Sequence, residues 1–280
     1  MKSSDPPPLF AEWFTSSYGQ VFRIKKTLFY MRSPYQEIFL FENPQWGRVL
    51  VLDGAVQLSE GDEFFYHESL VHPVMTLHPC PKKILVIGGG DGGSLREILR
   101  YPVEQVHLVE LDEWVVLASR KYLSSVHQNS FNHPKVRIII EEGMLFLQHS
   151  KEIYDVIILD LPDPVGSAEK LSGREFFHLV RTHLNPDGFV ALQAGSPLIR
   201  REFFERWKSA VQDTFSHFLL YLSPVPTFPG GLWAFLLACP QKISSKPYRA
   251  PPSTKYWREE LLPSSFHPPL FLSASENSPI

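Results

Sequence analysis

One stretch constrains this chain more than any other: Lys82-Lys83-Ile84-Leu85-Val86-Ile87-Gly88-Gly89-Gly90-Asp91-Gly92-Gly93-Ser94-Leu95-Arg96. Four aliphatic residues in a row read as a buried strand, the glycines as a tight turn, and Ser94 as the opening of a helix. Gly88, Gly90 and Gly93 have the G-x-G-x-x-G spacing of a nucleotide-binding βα turn, where the lack of a Cβ lets a ligand lie against the backbone. Asp91 is the informative residue. A turn built to hold pyrophosphate attracts anions through its N–H groups, and a carboxylate at its centre opposes that. The turn therefore suits an adenosine-type ligand carrying positive charge better than NAD or ATP.

Around this turn the pattern alternates between short aliphatic strands, at 84–87, 106–110, 136–140, 156–160 and 189–193, and helical stretches near 95–100, 114–122 and 176–182. That rhythm predicts a parallel sheet covered on both faces. A further helix at 203–211 and strands at 218–222 and 232–238 predict an antiparallel edge. Trp233 and Phe235 read as edge-strand core. Upstream, apolar runs at 21–24, 37–41 and 48–52, separated by Ser33-Pro34, Asn43-Pro44 and Asp53-Gly54, predict a small antiparallel β unit. Residues 1–10 read as a loose arm, and 63–77 as a helix that Pro73 bends or ends. The expected organisation is an arm and β domain over 1–62, a catalytic α/β domain over 63–240, and a Pro/Ser-rich tail over 241–280 packed on the surface.

A net charge of −3 over 280 residues gives no electrostatic reason to expect nucleic acid. No apolar run approaches a membrane span, and Met1 to Pro8 lacks an apolar signal region. Cys80 and Cys239 read as buried apolar thiols without metal-ligand spacing. A cytoplasmic setting is expected. His72, His78 and His107 read as surface or capped histidines.

Ligands of open α/β sheets bind beyond the carboxyl ends of the strands. Acids stand at four successive ends: Asp91, then Glu110 at the offset that reaches ribose hydroxyls, then Glu141-Glu142, then Asp160 with Asp163. Asp112 reads as the N-cap of the next helix. Four converging acids predict a negative crevice for cationic ligands such as a sulfonium nucleoside and a polyamine.

These residues resemble the polyamine aminopropyltransferases, the spermidine synthase family, over roughly 13–271. The likeness rests on Ser33-Pro34-Tyr35-Gln36, Leu52-Asp53-Gly54-Ala55-Val56-Gln57, Asp62-Glu63-Phe64-Phe65-Tyr66-His67-Glu68, the glycine turn, Val109-Glu110-Leu111-Asp112, the segment from Asp160 to Glu169, Gln193 with Ser196-Pro197, and the run from Pro226 to Trp233. The resemblance implies an N-terminal β domain on a seven-stranded Rossmann-like domain of the class I methyltransferase type, assembled as a homodimer or homotetramer. It implies decarboxylated S-adenosylmethionine as aminopropyl donor, with no cofactor and no metal.

Carried over, Gln36, Tyr66 and His67 line the pocket near donor tail and acceptor, and Asp91 holds the donor's ammonium. Glu110 takes the ribose and Glu142-Gly143 reads the adenine. Asp160 is the catalytic base and Asp163 orients the amines. Gln193 and Phe228 complete the substrate-binding set, and 160–171 forms a gate. The chain departs from the family in four places. Glu142 replaces an aspartate, Leu161-Pro162 replaces small hydroxyl residues, Ser167 replaces a proline, and Phe228 replaces a tyrosine near the acceptor.

The implied reaction is attack of a primary amine on the carbon beside the sulfonium, releasing methylthioadenosine. Putrescine is the leading acceptor, with agmatine and spermidine as alternatives. Presenting an alkylammonium neutral at pH 7 costs roughly 4–5 kcal/mol. Asp160, buried beside Leu161 and Pro162, is expected to have a raised pKa suited to taking that proton. Two other readings are a methyltransferase using intact S-adenosylmethionine, disfavoured because its carboxylate would approach Asp91, and a non-catalytic polyamine-binding homologue.

Overall fold

A computed structural model describes residues 8–163, 170–243, 246–249, 252–267 and 269–272. The 164–169 part of the expected gate, with Ser167, lies outside the described residues, as do residues 1–7. The chain opens with a two-stranded antiparallel sheet, β1 (Leu9–Trp13) and β2 (Gly19–Arg23). A four-stranded antiparallel sheet follows: β3 (Lys26–Arg32), β4 (Glu37–Asn43), β5 (Gly47–Leu52) and β6 (Ala55–Ser59). The first strand thus begins inside the segment read as a loose arm, and β1, β3 and β6 add to the three expected runs. Ile38, Leu40, Leu50 and Leu58 of this sheet pack against Val115, Ala118, Leu123 and Val126 of the larger domain.

After α1 (Glu63–Leu77) come β7 (Lys83–Gly88), α2 (Gly93–Ile98), β8 (Gln105–Glu110), α3 (Glu113–Tyr122) and α4 (Ser124–His127). These are followed by β9 (Val136–Ile140), α5 (Gly143–His149), β10 (Tyr154–Asp160), α6 (Arg174–Thr182), β11 (Leu184–Gln193), α7 (Arg201–Thr214), β12 (His217–Pro224) and β13 (Leu232–Cys239). The seven strands run in the order β12-β13-β11-β10-β7-β8-β9. β7 to β11 pair in parallel, and β13 joins β11 antiparallel. The antiparallel edge is as expected, but β12 is the outer strand, so Trp233 and Phe235 sit one strand in. Strand order reverses between β7 and β10, the position at which this architecture opens a crevice.

Burial on both faces explains the uninterrupted apolar runs. Ile84, Val86, Val156 and Ile158 face a core shared with Leu70, Val74 and Met75 of α1. Their neighbours Leu85, Ile87, Ile157 and Leu159 face Phe176, Phe177, Phe204 and Trp207 of α6 and α7. The two-residue side-chain period of a strand makes every position count as core.

Pro73 does not end α1, which continues to Leu77. A proline in a helix deprives the carbonyl four residues back of its donor. Here that carbonyl belongs to Ser69, and the buried Tyr221 hydroxyl of β12 donates to it at 2.9 Å. A tertiary contact replaces the missing helical bond.

The histidines are also corrected. His72, His78 and His107 are all buried. His72 Nδ1 contacts the Tyr101 hydroxyl at 2.9 Å and Nε2 lies 3.0 Å from Glu97, while His107 Nδ1 contacts the Tyr154 hydroxyl at 2.8 Å. Of the cysteines, Cys239 is buried but Cys80 is exposed, on the turn between α1 and β7. None of the helices described is long and apolar enough to cross a membrane.

Candidate active site

The glycine turn and the end of β10 are built as one unit. The Gly89 amide donates to the Asp160 carbonyl at 3.0 Å, and a Cβ on Gly88, at φ +83°, would stand 2.1 Å from that oxygen. Gly93 packs against the His67 ring, where an added Cβ would lie 2.3 Å from Cε1. Gly90 likewise makes room for Glu110, whose Oε2 would be 2.8 Å from a Cβ. Close approach of two acids and a histidine therefore explains the glycines without reference to a ligand.

Asp160 accepts from the Tyr66 hydroxyl at 2.7 Å through Oδ1 and from Ser94 Oγ at 2.6 Å through Oδ2. Burial raises its pKa, Asp91 adds to the rise, and His67 with the two hydroxyls opposes it. Leu161 is buried beside it, but Pro162 is exposed, so only half of the expected apolar surround is present. Tyr66 is pushed well above the ordinary tyrosine range by burial and by Asp160. Asp91 accepts from the Gly93 amide at 2.7 Å and stands 3.1 Å from His67 Nε2. His67, Asp91 and Asp160 bring one polar atom each to within 4.8 Å of one another.

At the β8 end, Glu110 accepts from the Asp112 amide at 3.0 Å. Burial, with Asp112 and Asp91 nearby, raises it to about 7. Asp112 is the helix N-cap, accepting from the Trp114 amide at 3.0 Å. Its second oxygen accepts from Ser33 Oγ at 2.6 Å and Gln36 Nε2 at 3.1 Å, so Gln36 reaches Glu110 through Asp112. Glu142 caps α5 with both oxygens, accepting from Met144 N at 3.1 Å and Leu145 N at 2.9 Å. A Cβ on Gly143 would lie 2.5 Å from Ile87, so this glycine lets α5 pack against β7. The acids at the ends of β7, β8 and β10 act on one another, whereas Glu142 is committed to its helix.

Beyond Asp160 the pocket is aromatic and acidic. Phe228 packs edge-on against Trp233 at 4.7 Å and lies 5.5 Å from the Tyr66 ring. Gln193 is a clamp: it donates to the Leu161 carbonyl at 2.7 Å and accepts from Gly195 N at 2.7 Å and Trp233 Nε1 at 3.0 Å. Burial raises Asp163 to about 6, opposed by Arg200, and its Oδ1 is buried without a hydrogen-bond partner among the described residues.

Sequence reasoning missed Glu12. This buried acid is raised to about 7 by desolvation against a hydrogen bond from Gln20, and it feels both Arg200 and Asp163. The only sequence signal was a charge at an inward position of a strand, in a segment that lacked a strand signature.

A glycine turn at the strand ends, a buried acid paired with a tyrosine, and further acids held above the ordinary carboxylate range define a transferase-type Rossmann site. Residues 63–247 match the spermine/spermidine synthase domain and residues 10–60 the spermidine synthase tetramerisation domain. The chain is 37% identical over 271 residues to the polyamine aminopropyltransferase of Thermoanaerobacter sp. (strain X514), covering 93% of this chain and 96% of that protein. It is 41% identical over 230 residues to the polyamine aminopropyltransferase of Thermococcus onnurineus (strain NA1), covering 81% and 80%. A crystal structure of spermidine synthase in complex with the transition state analogue AdoDATO superposes with a TM-score of 0.91 at 34% identity, covering 95% and 94%. The chain belongs to the spermine/spermidine synthase family of polyamine aminopropyltransferases.

Proposed function

We propose that this enzyme transfers the aminopropyl group of decarboxylated S-adenosylmethionine to a primary amine, with putrescine the preferred acceptor and spermidine and methylthioadenosine the products. The observation that carries this reading is Asp160: a buried carboxylate with a raised pKa, oriented by Tyr66 and Ser94 at the end of β10. Glu110 would accept from the ribose, Asp91 from the donor's ammonium, and Glu142-Gly143 would border the adenine. Asp160 would take the proton from the attacking amine, and the developing thioether leaves without further protonation. No step in this scheme calls for a metal.

A diamine is favoured by the second pair of acids. Asp163 and Glu12 are both raised by burial, and Asp163 adds to the rise at Glu12, so an incoming ammonium would favour the ionised form of both. The expected argument against intact S-adenosylmethionine is weakened, because Asp91 already faces a cationic partner in His67 and a carboxylate there would not meet a bare negative charge. Incubation with each donor and a panel of mono-, di- and polyamines, read by mass, decides the matter. Methylthioadenosine plus spermidine supports the proposal; S-adenosylhomocysteine, or binding without product, overturns it. We further propose a cytoplasmic homo-oligomer. Trp13 and Val21 expose 66% and 61% of their surface on β1 and β2, within the segment that matches the tetramerisation domain, and Leu9, at its edge, exposes 62%.

A further inference from the structure

Two buried helices carry a line of charge that the transfer reaction does not require. Arg96 of α2 grips Glu63 of α1 with both terminal nitrogens, each at 2.9 Å from a different carboxylate oxygen. Glu63 Oε2 stands 2.7 Å from His67 Nδ1, and His67 Nε2 stands 3.1 Å from Asp91 Oδ1. His67 and Glu63 are almost completely buried. An imidazole with a carboxylate on each nitrogen meets two acceptors and no donor, so both nitrogens must carry hydrogen. His67 thus stands as an imidazolium against the carboxylate that the donor's ammonium needs.

The surroundings favour that charge state. From α1 the ring faces Glu63 and the Tyr66 ring, from the glycine turn Asp91, from β10 Asp160, and from α2 Arg96 acting through Glu63. Burial opposes protonation of His67, but Asp91 and Glu63 outweigh it and hold the imidazolium well above the ordinary histidine range. Glu63 is kept below the usual carboxylate range despite its burial by His67 and Arg96, so it stays ionised.

We propose that His67 is a proton-linked placeholder: the donor's terminal ammonium takes Asp91 by displacing the proton from His67 Nε2 to solvent. The inference rests on the donor assignment made above. The balance is one cation in and one proton out. The ring becomes neutral, Nδ1–H stays on Glu63, and the freed Nε2 lone pair accepts from the ammonium beside Asp91. Were His67 to keep its proton, two cations would share a buried pocket with one carboxylate between them, a costly arrangement. Glu63 and Arg96 act as positioning residues that fix the tautomer left behind.

Calorimetric titration in buffers of different ionisation enthalpy counts the protons released. Methylthioadenosine is the reference ligand, because it shares the ribose and adenine but has no cationic tail, so any proton leaving Glu110 appears with both ligands. At pH 7 the decarboxylated donor is expected to release about one proton more than methylthioadenosine. The ratio of the two affinities should rise about tenfold per pH unit below the His67 pKa. In His67→Gln the extra proton and the pH dependence of the ratio should both vanish while the donor still binds. Equal proton release by the two ligands in the unsubstituted enzyme overturns the placeholder. Failure of the decarboxylated donor to bind at all overturns the donor assignment instead.

Discussion

Asp160, at the residue scale, is oriented by the protein's own side chains, because Tyr66 and Ser94 each occupy one oxygen. Asp160→Asn should therefore lower turnover by about 10²–10⁴-fold, the usual contribution of a positioned base, while leaving donor affinity within a few-fold. Single-turnover kinetics with a separate binding titration checks both halves. The acids also set an acid limb. Glu110 and Asp163 are raised to about 7 and about 6, and each accepts strongly and attracts a cation only when ionised. Protonation of Glu110 as pH falls through about 7 should raise the donor KM, and protonation of Glu12 and then Asp163, through about 7 and about 6, should raise the amine KM. A pH profile with both effects arriving together near pH 4 would contradict these environments. Asp91, Glu110 and Asp160 were legible as strand-end acids. Glu12 was not, because a buried acid on a short strand has no local pattern.

At the scale of the element, α1 shows a local rule overridden by a distant contact. Pro73 ought to cost the helix a hydrogen bond, and Tyr221, 152 residues from Ser69 in sequence, supplies it. Tyr221→Phe should destabilise the fold by about 1–3 kcal/mol, the cost of leaving a buried carbonyl unpaired. Adding Pro73→Ala, which restores the N–H, should recover most of that loss. A thermal or denaturant double-mutant cycle measures the coupling. α5 was the opposite failure: its cap, Glu142, is not one of the residue types that usually mark a helix start, and only seven residues follow, too few for a periodic pattern to register.

For the whole molecule, remote segments are tied down by buried carboxylates. Asp62, at the start of α1, accepts from Thr227 N at 2.7 Å and Oγ1 at 3.0 Å, joining the β6–α1 corner to the loop that carries Phe228. Glu68 accepts from the amides of Lys255, Tyr256 and Trp257 at 2.8, 2.8 and 2.9 Å, and Trp257 and Leu262 are buried beneath. Residues 255–257 of the C-terminal segment are therefore anchored through specific groups. Glu68→Gln, which replaces one acceptor oxygen by an amide donor, should cost about 1.5–3 kcal/mol and loosen this segment. Limited proteolysis near 246–258, together with a melting curve, would register both effects.

The sequence by itself determined the sheet, the glycine turn and the acids at the strand ends. Each follows from local physics: aliphatic runs of strand length, backbone freedom at glycine, and the two-residue period of a strand buried on both faces. Only the tertiary structure decided which charges meet. That His67 faces Asp91, that Arg96 holds Glu63, that Gln193 is a clamp and that Glu12 joins Asp163 all depend on elements brought together across the crevice. A side chain's partners, and hence its charge, are fixed by packing between segments, and no local pattern encodes them.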